Sequence, residues 1–269
     1  MMDLVLVLLG LLMGGALGAL GGGGSILAVP MLVYIAGESV KVGTTASLVA
    51  VGAAALAGAI GHFFAGRVKV GKGLLFGAVG VGGSLLGSAL NRIADPNLLL
   101  LLFALFMIFV GGRMALMDSG GPRRAQALSV EGAEIAVAAE SRSTAAKALR
   151  VVIAGTVVGF LTGFFGVGGG FVIVPALVIA LDFGMPEAIG TSLLVISVNS
   201  VISLGARMGH IHVPWGVVLV FSAGALVGSL IGSRAASHFQ AAALKRAFVV
   251  LIFALAVYMG ADAIVRMMH

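Results

Sequence analysis

The stretch "GALGGGGSILAVPMLV", residues 18–33, decides the fold. Four consecutive glycines sit inside an otherwise unbroken apolar run, where each glycine costs a helix about 1 kcal/mol relative to alanine. The apolar block that follows, 26–36, has eleven residues. As a helix it reaches about 16 Å, roughly half of a bilayer's ~30 Å hydrocarbon thickness. A break followed by a segment too short to span predicts a discontinuous helix or a re-entrant hairpin whose turn lies at membrane depth. Unpaired backbone in lipid costs several kcal/mol per group, so such a turn persists only where protein covers it or where water and ligand reach it. Glycine suits the turn because positive φ carries no steric penalty and bare N–H groups can approach a ligand closely.

The rest of the chain places this stretch in a membrane. Of its 269 residues, 60% are hydrophobic and only 10% charged, and the mean hydropathy is +1.19, against roughly 25% charged residues in a soluble domain. There is no cysteine, which removes disulfides and thiolate metal sites. The net charge of +6 comes without a basic run, so its partner is the inner face of a lipid bilayer and not nucleic acid. The N-terminal "MMDLVLVLLGLLMGGALGAL" lacks the leading Lys or Arg of a signal peptide and is expected to be a retained segment.

Apolar blocks fall at 4–20, 26–36, 43–65, 73–90 and 98–116, then at 151–165, 171–181, 190–206, 213–233 and 247–265. Between the two groups of five, residues 117–147 are polar, charged and broken by Gly and Pro, a linker outside the membrane with room for a short surface helix. The groups resemble each other. "GALGGGGSILAVPMLV" matches "GFFGVGGGFVIVPALV" at 163–178, and "GSLLGS" at 83–88 matches "GSLIGS" at 228–233, both at a spacing of 145. "GTT" at 43–45 echoes "GTS" at 190–192. These matches define a duplicated unit, with residues 1–116 as the first repeat, 117–148 as a cytoplasmic linker and 149–269 as the second repeat.

Five blocks per half is an odd number, so the halves are expected to face opposite ways across the bilayer. The predicted fold is an all-α polytopic membrane protein of two inverted repeats, each a Gly-broken short helix hairpin followed by three transmembrane helices. Placing the linker in the cytoplasm puts twelve Lys and Arg inside, among them Arg67, Lys69, Lys72, Arg113 and Arg150. Only Lys41, Arg92, Arg207 and Arg266 remain outside. This asymmetry predicts an N-terminus outside a bacterial inner membrane.

All ten acids, Asp3, Glu38, Asp95, Asp118, Glu131, Glu134, Glu140, Asp182, Glu187 and Asp262, lie at block edges or in the linker. Carriers of metal ions need intramembrane carboxylates, so the pattern favours an anion held by N–H and hydroxyl donors. The helix starts near Ser25 and Gly170 would aim free N–H groups and partial positive charge at the two turns. In secondary transporters such broken helices hold the substrate. The expected binding residues are Gly23, Gly24, Ser25, Thr44 and Thr45 from the first half, with Gly168, Gly169, Gly170, Thr191, Ser192 and Asn199 from the second. Ser47, Ser197 and Ser200 are further hydroxyl candidates. Ser and Thr in membrane helices also bond their own backbone, and most other glycines are read as helix-packing contacts. His62 is read chiefly as a partner-bonded or interfacial histidine, with proton carriage as the alternative. His210 and His212, without an acid or Cys nearby, are weak metal ligands. Arg207 is read as a snorkelling anchor, and Trp215, Tyr34 and Tyr258 as interface residues. No catalytic residues, metal site or cofactor are expected.

The paired "GGGGSILAVPMLV" and "GVGGGFVIVPALV" motifs, followed by "VGTTAS" and "IGTSLL", resemble the sulfite exporter TauE/SafE family of membrane permeases across 4–116 and 151–265. That resemblance implies export of a small sulfur-containing anion, such as sulfite, sulfoacetate or another organosulfonate, across the inner membrane. The copies differ where Gly22 and Ser25 face Val167 and Gly170, which favours one asymmetric site. The expected partners are the anion and the bilayer, with room for a coupling ion and a homodimer and none for nucleic acid. The alternatives are an anion channel and a permease for an unrelated small solute.

Overall fold

The computed structural model describes the chain except residues 1, 39, 92–95, 117–135, 166–169, 208–214 and 269. Side chains at 2, 34, 40–41, 91, 96–97, 100, 136–148, 165, 205–207 and 262–268 also lie outside the description. The described residues form α1 (Met2–Leu20), a 3-10 turn (Gly21–Gly24), α2 (Ser25–Pro30) with a π turn (Met31–Ile35), and α3 (Val40–Phe64). They continue as α4 (Val70–Asn91), α5 (Pro96–Leu116), α6 (Ala136–Phe165), α7 (Gly170–Leu181), α8 (Met185–Arg207), α9 (Trp215–His238) and α10 (Ala241–Met268). Among the described residues, six helices are long and apolar enough to cross a membrane, at Asp3–Val33, Val42–Phe64, Val70–Leu90, Met185–Leu204, Trp215–His238 and Ala241–Ala261. Large apolar side chains such as Leu85, Phe109, Val250 and Val257 are exposed, as expected where lipid replaces water.

α6 starts earlier than the sequence blocks suggested. It begins at Ala136, inside the stretch read as linker, and continues without a break to Phe165. The segment "AVAAESRSTAAKALR" is rich in alanine, the strongest helix former, so a polar composition did not prevent a helix.

The run Asp3–Val33 is helical throughout, yet it is not straight. Gly21 has φ +70°, and a Cβ on Gly24 would lie 2.7 Å from both the Leu17 Cα and the Met13 carbonyl. In a straight helix residues 17 and 24 would stand about 10 Å apart along the axis, so the chain folds back on α1 at the glycines. In the second half α7 likewise returns toward the level at which α6 enters, since Asp182 meets Arg150 at 3.9 Å. Both returning segments end in the same way. Glu38 N–H donates to Leu32 O and Phe183 N–H to Leu177 O, each at 3.1 Å, around left-handed residues at Gly37 (φ +73°) and Asp182 (φ 53°). These are six-to-one helix caps, 145 residues apart.

Glycine faces set the packing. A Cβ on Gly14 would overlap the Ala225 backbone and one on Gly18 the Ser229 backbone, while Gly228 and Gly232 abut Leu11 and Gly15. Residue numbers rise together, so α1 and α9 run parallel. The α4/α6 seam repeats this: Gly80 lies on Gly155 and Gly159, and Gly87 on Phe160 and Phe164. By the same criterion α3 runs parallel to α9 (Gly58 on Ser229, Gly61 on Ser233) and α4 parallel to α8 (Gly73 on Thr191, Gly77 on Val195). Opposite directions hold for α3 against α8 (Gly52 on Ser200, Gly190 on His62) and for α5 against α10 (Gly111 on Ile252, Gly260 on Ala104). Without a hydrophobic drive between helices in lipid, close backbone approach and dispersion supply the association.

Candidate functional site

The two glycine-rich regions meet. A Cβ on Gly22 would overlap the Gly170 carbonyl, and one on Gly21 would lie 2.7 Å from Ser192 Oγ and 2.9 Å from Val174 Cγ2. Ser25 also lies against Gly170. The structure therefore brings Gly23, Gly24, Ser25, Gly170 and Ser192 to one place. Gly168 and Gly169 lie outside the described residues.

That junction is filled with protein. Gly21 to Gly24 are all buried, the space beside Gly23 is taken by Leu251 and Phe248, and Gly24 packs on the α1 backbone. The Ser25 N–H donates to Gly22 O, and the Ser25 hydroxyl donates to the same carbonyl at 2.7 Å. The α2 start thus continues a 3-10 turn instead of presenting a row of free amides. The other hydroxyl candidates are similarly engaged. Ser192 Oγ donates to Ile189 O at 2.8 Å, Ser47 Oγ to Thr44 O at 2.8 Å and Ser197 Oγ to Leu194 O at 2.8 Å. Thr191, fully buried, accepts a bond from the Lys69 amide at 3.1 Å, just ahead of α4. Thr45 is buried and Thr44 half-buried. Thr191 ties the start of α8 to the start of α4, while Ser192 bonds within its own helix.

Asn199 stands apart. It lines a cavity of about 330 Å³ between α4, α6 and α8, with Leu48 of α3 and Ile173 of α7 on its wall. The polar groups on that wall are Ser84, Ser88, Thr162, Asn199, Ser200 and Ser203. Among the described residues, no charged side chain lines it. Asn199 Oδ1 is buried without a hydrogen-bond partner, with Gly77 facing it. Ser84 and Ser88, and Asn199 and Ser203, are each four residues apart on one helix and so share a face. Ile173 lies in the first turn of α7, so the positive end of that helix borders the cavity. Neutral donors and a helix N-terminus can hold an oxyanion by dipoles alone.

Charges sit outside this cavity. Lys69 Nζ pairs with Glu187 at 3.1 Å, and Lys72 lies 5.2 Å above the Phe183 ring, both near the starts of α4 and α8. His62 is buried at the end of α3, its Nε2 3.0 Å from Gly18 O. With the proton on Nε2 as donor, Nδ1 is left without a partner. It ties α3 to α1, in line with the partner-bonded reading. Trp215 and Tyr258 are exposed. His210 and His212, and the side chains of Arg207 and Tyr34, lie outside the described residues.

Of the residues singled out from the sequence, Asn199 and Ser200 lie on the cavity wall, and Ser84, Ser88, Thr162 and Ser203 line it beside them. The repeated stretch "GSLLGS" carries both Ser84 and Ser88, and its glycines pack on α6.

A family profile described as "Sulfite exporter TauE/SafE" matches residues 6–259. A "Probable membrane transporter protein" of Xylella fastidiosa (strain 9a5c) is 38% identical over 256 residues, covering 92% of this chain and 90% of that one. A second, from Bacillus subtilis (strain 168), is 28% identical over 239 residues, covering 85% and 86%. A third, from Methanocaldococcus jannaschii, is 35% identical over 116 residues, covering 41% and 43%. No solved structure matches the chain.

Proposed function

The chain belongs to the sulfite exporter TauE/SafE family, and from that premise we propose that it is a secondary transporter of a small sulfur oxyanion or organosulfonate, bound in the cavity between α4, α6 and α8. The observation that carries this reading is the set of polar groups on the cavity wall, hydroxyls and one amide set among apolar side chains, with no carboxylate among the described lining residues to favour a cation. An anion there exchanges its water for the donors of Ser84, Ser88, Thr162 and Asn199 and for the N-terminal end of α7. A buried charge is otherwise costly, so donors converging from several helices are what such a site needs.

An inverted repeat accounts for the helix directions. α3 and α8 run opposite ways, as do α5 and α10. Because α1 follows α9 and α3, while α6 follows α4 and α8, the remaining counterpart pairs α1/α6 and α4/α9 are opposed as well. The Lys and Arg pattern supports an inner-membrane orientation with the N-terminus outside. On that orientation the cavity, which runs along α4 toward Ser88, faces outward. The junction of Gly21–Gly24 with Gly170 acts as the buried joint between the halves.

The experiment is flux in proteoliposomes with labelled sulfite, sulfoacetate, sulfate and a divalent cation in parallel. Sulfur-anion flux without cation flux is the expected result. Cation flux without sulfur-anion flux overturns the proposal, and single-channel currents would replace carrier by channel.

A further inference from the structure

The cavity has a counterpart at the repeat-related position, and that counterpart is shut. Shifting by the 145-residue repeat carries Gly77, Ser84 and Ser88 of α4 onto Ser222, Ser229 and Ser233 of α9. It carries Val158 and Thr162 of α6 onto Met13 and Leu17 of α1. The α8 wall corresponds to α3 through the "GTT" and "GTS" match, which places Asn199 opposite Gly52. In the first set α4 and α8 touch at Gly73 and Gly77, and farther along both line open space at Ser84 and Ser203. In the second set the equivalent helices stay together along that length. Ser229 Oγ donates to Ala54 O across the seam at 2.6 Å, and a Cβ on Gly61 would lie 3.3 Å from Ser233 Cβ. Met13 and Leu17 are fully buried behind it.

One detail of the closed seam is unlike ordinary packing. Ser222, 8% exposed, has a buried hydroxyl with no hydrogen-bond partner. Leaving such a group unsatisfied is costly, and its repeat equivalent, Gly77, lines the cavity. The direction of the seam matters equally. The cavity extends toward the C-terminal ends of α4, α6 and α8, whereas Ser229, Ser233 and Gly61 lie toward the C-terminal ends of α9 and α3, which run the other way.

We propose that the α3/α9 seam, backed by α1, is a second anion site facing the opposite side of the membrane, which opens as the α4/α6/α8 cavity closes and takes the same small oxyanion on Ser222 and Ser229. This rests on the transporter reading above. The two seams are the two access routes, and the Ser229 to Ala54 bond is the latch that breaks when the second route opens. Substrate leaves the donors of one half for those of the other without crossing bare lipid.

The absence of native cysteine gives the test. Ser84→Cys and Ser229→Cys are made singly in the full chain, reconstituted in vesicles and exposed to a membrane-impermeant thiosulfonate from each face. Ser84→Cys is expected to react from one face, and Ser229→Cys, more slowly, from the other. Failure of Ser229→Cys to react from either face, or reaction from the same face as Ser84→Cys, overturns the proposal, whatever the transported solute is. In a second arm Gly61→Cys is combined with Ser233→Cys, whose Cβ separation is close to that of a disulfide. Oxidation should cut labelled sulfite exchange at least tenfold relative to the same variant reduced, and a thiol reductant should restore it. Undiminished exchange in protein shown to be crosslinked overturns the second route. Absence of sulfite flux in the unaltered chain overturns the substrate reading alone, and the labelling arm then decides this one.

Discussion

At the scale of single residues, Asn199 and Gly22 separate function from architecture. Asn199 places an unpartnered Oδ1 beside the cavity, so replacing it with an apolar side chain of similar size removes an unsatisfied polar group. Asn199→Leu is expected to leave the melting temperature in detergent unchanged or slightly raised, while anion flux in proteoliposomes falls about tenfold or more. A variant that melts normally and transports normally would remove Asn199 from the site. Gly22 shows the opposite case. A Cβ there overlaps the Gly170 carbonyl, and backbone cannot rotate out of the way as a side-chain tip can. Gly22→Ala is expected to destabilise by about 1–3 kcal/mol, read as a lower melting temperature and reduced yield of folded protein. Even at this scale the sequence was informative, because a run of four glycines between apolar blocks has no role in a straight helix. What it could not show was whether the bare amides face a ligand or another backbone.

At the scale of elements, the glycine-lined seams explain how helices with little polar surface choose their neighbours. On α4, Gly83 and Gly87 are pressed onto α6, while Gly82, one residue away, has open space around it. Position on the helix face therefore decides tolerance. Gly159→Leu, which would drive a side chain into the Gly80 backbone, is expected to abolish folding of the α4/α6 pair, whereas Gly82→Leu is expected to be near neutral in a thermal melt. Equal effects would show that the seam is not what holds these helices. The exposed pair Lys69 and Glu187 adds at most about 1 kcal/mol, so it sets register at the membrane edge more than stability. Helix boundaries were legible to within a few residues where charge or proline marks them. At Ala136 the helix runs on unbroken into the membrane block, because an alanine-rich stretch loses little side-chain entropy in a helix, which hydropathy does not register.

At the scale of the whole molecule, the helix contacts set α3 against α8 and α5 against α10 in opposite directions, as the proposed inverted repeat requires. The C-terminal ends of α3 and α9 lie at one face, so the turns at Ala65 and Gln240 should share a side of the membrane. On the orientation proposed from the Lys and Arg pattern, that side would be the cytoplasm. Ala65→Cys and Gln240→Cys are expected to be shielded from an impermeant thiol reagent in intact cells and to react once the membrane is opened. Labelling of either in intact cells would reverse the orientation, and labelling of only one would break the topology.

By itself, the sequence determined that this is a helical membrane protein made of two related halves, because hydropathy, length and repeated glycine, proline and hydroxyl positions are local properties of the chain. It also pointed to the family through the motifs that the two halves share. Only the tertiary structure shows where open space lies. The Gly21–Gly24 turn closes on Gly170, and a cavity opens along α4, α6 and α8. Whether two small-residue faces touch or part depends on helix crossing and on residues far along the chain, as Gly83 meets Thr156 and Gly14 meets Ala225, and no local pattern records that.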